Sequence, residues 1–70
     1  MLISLIILPG TGQEDVPMAE GSTLAALVSM RNLQGRQLTV DGQMVPTSQY
    51  SSFVLLSGQE VGALAPVKGA

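Results

Sequence analysis

The chain opens on a hydrophobic run, Met1–Leu8, interrupted only by Ser4. So short a continuous apolar stretch, closed by Pro9-Gly10, predicts an interior strand covered on both faces. Pro9, Gly10 and Gly12 supply turn chemistry, and Gln13–Met18 returns as a second strand. Pro17 lacks a ladder donor, which suits an edge position. Gly21 parts this hairpin from a helical pattern over about Ser22 to Leu33. There Leu24, Leu27 and Val28 recur at i, i+3 and i+4, and Met30 and Leu33 widen the stripe. Ser22 or Thr23 is placed to cap the helix, Arg31 and Arg36 oppose the negative pole at its far end, and Gly35 is a natural stop.

Beyond the helix, Gln37–Asp41 alternates Leu38 and Val40 with Thr39, the pattern of a strand with one buried face. Asp41-Gly42 is a strong hairpin signal, and Gln43–Val45 forms a short return strand ended by Pro46. The polar stretch Thr47–Ser52 reads as a loop with one helical turn. Phe53–Leu56 is apolar, Ser57-Gly58 turns the chain, and Glu60–Ala65 makes the last strand. The order is β-β-α-β-β-β. One amphipathic helix covers one face of a sheet, so the fold class is α+β: a mixed sheet of four to five strands with the helix packed across it. Residues 1–65 form one domain and residues 66–70 a flexible C-terminal tail.

Composition narrows the function. A 70-residue chain buries only about 60% of its unfolded surface. With no cysteine and no histidine, neither disulfides nor a structural metal reinforce it, and the 46% hydrophobic residues must supply the core. Three scattered cations, Arg31, Arg36 and Lys68, make no basic patch for phosphates, and one Tyr and one Phe make no stacking platform. Nucleic acid is therefore not an expected partner. The opening run lacks a basic n-region and a small-residue cleavage site, and it is far short of the roughly 20 apolar residues of a membrane span. No membrane partner is expected, and the location is read as cytoplasmic.

Catalytic groups are equally scarce. Without histidine a Ser-His-acid arrangement is impossible, and Glu14, Asp15 and Glu20 have no neighbour that tunes a carboxylate for proton transfer. Gly10-Thr11-Gly12 lacks the helix and lysine of a phosphate loop. The chain is read as no enzyme, with no cofactor. A more promising feature is Leu2, Ile6 and Leu8. If Ile3, Leu5 and Ile7 face the helix, these three face the other way, where no second helix is available. They are read either as partly covered by Thr47–Leu56 or as a docking patch for a partner or for another copy in a weak homodimer, with Tyr50 joining it.

From Gly21 onward the sequence resembles the sulfur-carrier proteins of the ThiS/MoaD type. Val40-Asp41-Gly42-Gln43-Met44-Val45-Pro46 is similar to that family's V-N-G-x-x-V-P hairpin. Tyr50 stands near the usual Trp of the thiazole-forming branch. Leu56–Val61 is similar to L-x-D-G-D-x-V, and Pro66-Val67-Lys68-Gly69-Ala70 to the terminal P-V-x-G-G. The short chain and the Val-Pro hairpin are closer to the thiazole branch. The resemblance implies a ubiquitin-like β-grasp with the first and last strands parallel at the sheet centre. It also implies that an E1-like adenylating enzyme activates the Ala70 carboxylate, and that the thiocarboxylate goes to a sulfur-accepting synthase in thiazole (thiamine) biosynthesis. Pro66, Val67, Lys68 and Gly69 would form the slim arm that carries it. The last residue is Ala70 where the family has Gly, which leaves a second reading open: a β-grasp interaction module that has lost conjugation.

Overall fold

In the computed structural model, which describes residues 1–8, 10 and 12–65, the opening run is strand β1 (Leu2–Leu8). It pairs antiparallel with β2 (Gly12–Pro17), placing Ile3 opposite Val16 and Leu5 opposite Glu14. Helix α1 (Leu24–Arg31) follows, then β3 (Gln37–Val40), the two-residue β4 (Gln43–Met44), a 3-10 turn at Thr47–Gln49, and β5 (Glu60–Leu64). The five strands lie in the order β2-β1-β5-β3-β4. β5 runs parallel to β1 and antiparallel to β3, so the first and last strands are neighbours within the sheet, and β2 is an edge strand despite its apolar partner. The expected ββαβββ order and mixed sheet are what the chain forms.

One layer of apolar side chains lies between the sheet and α1. Ile3 and Leu5 of β1, Val16, Leu38, Val61 and Ala63 point inward from the strands and meet Leu24 and Leu27 of α1, with Leu55 filling in from the loop. Burying a Leu or Ile side chain contributes about 1.5–3 kcal/mol, and this set supplies what disulfides supply elsewhere. Asp41 and Gly42, at φ 50° and 83°, occupy the left-handed conformations that a two-residue hairpin between right-twisted strands needs.

Three expectations are corrected. β1 is interior to the sheet but covered on one face only: Leu2 is 53% and Leu8 52% exposed, because the described residues supply a single α-helix to lay on the sheet. The Thr47–Leu56 segment leaves that face bare. It runs past the start of α1 instead, and there the Phe53 and Tyr50 carbonyls accept from the Leu24 and Ala25 N–H groups at 2.9 and 3.0 Å. Helix α1 is also shorter than the periodicity suggests. Thr23 is its cap, Oγ1 accepting from the Ala26 N–H at 3.3 Å. It stops at Asn32, whose φ of 55° is left-handed and whose N–H returns to the Val28 carbonyl, before Gly35 is reached. Met30 accordingly lies on the exposed side of the last turn rather than in the apolar stripe.

Candidate functional site

Strand alternation sends Ser4, Ile6 and Leu8 to the side of the sheet away from α1, together with Leu2. The register sets out what stands beside them. Ile6 neighbours Gly62, Gly62 neighbours Thr39, and Thr39 neighbours Met44, a row that crosses four strands. One step toward the end of β1, Leu8 neighbours Leu64, and Leu64 neighbours Gln37. One step the other way, Asp15, Ser4 and Glu60 form a polar row, in which the Gln13 amide donates to Ser4 Oγ at 2.7 Å. The open face is thus an apolar field of Ile6, Leu8, Leu64 and Met44 with a hydrophilic border.

Of the four residues singled out for partner binding, Leu2, Ile6 and Leu8 share this face, but the Ser4 row stands between Leu2 and the other two. Tyr50 is elsewhere. It packs against the core, its carbonyl bound to α1, and lines a groove of about 310 Å³ with Gly35–Gln37 and Met44–Thr47. Met44 belongs to both the groove and the open face. Met44 and Leu64 were not singled out from the sequence. Leu64 shares the parity of Gly62 and Glu60, but only the cross-strand register places it against Leu8.

The tail candidates Pro66, Val67, Lys68, Gly69 and Ala70 lie outside the described residues. The residue before them, Ala65, donates its N–H to the Leu8 carbonyl at 2.9 Å, and Arg36 Nη1 donates to the same oxygen at 3.3 Å. The end of β5 is thereby fastened beside the apolar field. Among the described residues no group of His, Cys, Asp and Glu gathers to hold a metal ion, and no helix is long and apolar enough to cross a membrane.

No family model matches the sequence, and no curated protein does. A solved structure does match: one chain of the protein–protein complex of subunits 1 and 2 of molybdopterin-converting factor from Helicobacter pylori 26695 superposes with a TM-score of 0.67. The identity is 14%, and the match covers 100% of each chain. The fold is a β-grasp. That full-length agreement, at so low an identity, rests on topology rather than on shared residues, since the same ββαβββ sheet and single helix recur with nothing left over on either chain.

Proposed function

We propose that this chain is a sulfur-carrier protein of the ThiS/MoaD kind, acting through its C-terminal carboxylate and not as an enzyme in its own right. The observation that carries the reading is the parallel pairing of β5 with β1, which ends at Ala65 beside an uncovered apolar field. A partner seated on that field would have residues 66–70 within reach, since five extended residues span at most about 17 Å. In the reading, an E1-like enzyme lets the Ala70 carboxylate attack the α-phosphorus of ATP with loss of pyrophosphate. A sulfur nucleophile at the hydrosulfide level then displaces AMP, and the thiocarboxylate passes to a synthase. The likeness of Val40–Pro46 to the family's V-N-G-x-x-V-P hairpin favours the thiazole branch.

The test is intact-mass analysis after incubation with ATP, a sulfide donor and the adenylating enzymes of the source organism. The expected result is the exchange of one oxygen for sulfur at Ala70. An unchanged mass with every such enzyme, or full activity after removal of Gly69-Ala70, overturns the proposal. One observation favours a second reading, an interaction module without conjugation: Ala70 carries a methyl where the family terminus has none. In that case removal of Gly69-Ala70 is silent, while Ile6→Glu abolishes partner binding.

A further inference from the structure

Charge on the open face is sorted along the strand direction. Asp15, Ser4 and Glu60 stand side by side on β2, β1 and β5, and Asp41 continues the row. The Asp41 N–H donates to the Glu60 carbonyl at 2.8 Å, and Asp41 Oδ1 accepts from the Glu60 N–H at 3.0 Å. At about 4.8 Å between neighbouring strands, the carboxylates of Asp15, Glu60 and Asp41 are spread over roughly 15 Å. All three residues are exposed, and none makes an ion pair among the described residues. The cations among the described residues are placed elsewhere. Arg31 is paired with Glu14 at 3.5 Å on the helix side, and Arg36 lies at the opposite end of β1, against the Leu8 carbonyl. The Met1 amine donates to the Met18 carbonyl at 2.8 Å. Beyond Leu2, the face therefore reads along the strands as an acidic band, an apolar field, and the fastened end of β5.

We infer that this face takes a protein partner of defined polarity: an apolar strip whose far end carries lysine or arginine side chains over Asp15, Glu60 and Asp41. The acidic band fixes which way round the partner sits, and so directs residues 65–70 toward the partner's working site. A second copy of this chain is the poorer occupant. Turned end for end, its described residues offer one guanidinium, already donating to Leu8, against three carboxylates, in a chain whose net charge is −2. Exposed pairs add little affinity singly, but a band of one sign steers encounter and excludes the reversed orientation. The inference rests on the carrier reading only for its choice of partner.

The experiment measures association and dissociation rates with the source organism's E1-like adenylating enzyme, from low to physiological salt. Asp15→Lys with Glu60→Lys is expected to slow association at least tenfold at low salt and to flatten its salt dependence. Leu8→Ser should act on dissociation instead. Ser29→Lys, on the exposed side of α1, should change neither rate. Circular dichroism checks the fold, and Asp15→Asn with Glu60→Gln replaces the lysine pair if that pair unfolds. Unchanged rates and salt dependence in the folded acidic variants overturn the inference, as does absence of wild-type binding. A wild-type dimer lost on Glu60→Lys also overturns it, in favour of a second copy. Intact mass on the same samples separates the two proposals. Binding with no thiocarboxylate overturns the carrier reading alone, and equal thiocarboxylation rates with the charges reversed overturn this one alone.

Discussion

At Gly62 the sheet has no room for a side chain. A Cβ built there lies 2.7 Å from Thr39 Oγ1 on the neighbouring strand, and the space a residue would occupy on the open face is already filled by that threonine. Glycine in the middle of a strand usually costs stability, so its presence in β5 needs a local reason, and this contact is one. Gly62→Ala is expected to cost about 1–2 kcal/mol by overpacking, read as a lower urea midpoint at unchanged m. The same substitution in a Thr39→Ala background should be close to neutral, since the obstructing oxygen is gone and alanine is the better strand residue. Equal costs in both backgrounds would mean that the strain lies in the backbone and not between these two side chains. The helix cap is the other residue-scale device: Thr23→Ala should cost about 1 kcal/mol, seen in the same unfolding curves, because the Ala26 N–H loses its side-chain acceptor.

At the scale of elements, α1 is held by the segment ahead of β5 as much as by its own sequence. Its eight residues are marginal as an isolated helix, and its first four N–H groups have no partner within it. Thr23 serves Ala26 and Leu27, while Phe53 and Tyr50 serve Leu24 and Ala25. Leu55, 1% exposed, anchors the segment that brings those carbonyls in. Leu55→Ala should therefore cost about 2–5 kcal/mol and speed amide exchange at Leu24 and Ala25 beyond the global change. Equal loss of protection throughout α1 would contradict a docking role for the segment. The sequence made much of this order legible. The Asp41-Gly42 hairpin, the Leu24–Leu27–Val28 stripe and the apolar β1 are local patterns, each readable without knowing its neighbours. The helix end was less so, because Asn32 and Gly35 both suit a left-handed stop and the choice is made by the buried Leu33 just after Asn32. The destination of 50–55 was not legible at all, since it is set by hydrogen bonds to a helix far earlier in the chain, such as Ala25 N–H to the Tyr50 carbonyl at 3.0 Å. The polar row on the open face had the same difficulty. Asp15, Ser4 and Glu60 meet only through strand register, so the sequence grouped Leu2 with Ile6 and Leu8 across a boundary it had no means to see.

At the scale of the whole molecule, the described residues lay a single α-helix on a five-stranded sheet, which makes one face a core and puts no other described element over the opposite face. The two faces carry residues of the same type along one strand, which allows the claim that they do different work to be tested on β1 alone. Leu5 is fully buried against Val16, Leu24 and the rest of the core, whereas Leu8 is half exposed at the edge of the apolar field. Leu5→Ala removes buried methyl groups and leaves a cavity, so it should cost about 2–5 kcal/mol. Leu8→Glu replaces a side chain that water already reaches, and the Leu8 groups that tie down Ala65 and Arg36 are backbone, so stability should change by no more than about 0.5 kcal/mol. If the open face were only an imperfectly covered part of the core, both substitutions would lower the urea midpoint alike. If it is a surface kept for a partner, Leu8→Glu should leave the midpoint in place and raise solubility. It should also remove binding to the adenylating enzyme, which Leu5→Ala would lose only in proportion to the fraction unfolded. That separation of folding from docking along one seven-residue strand is the physical content of a β-grasp with a bare sheet.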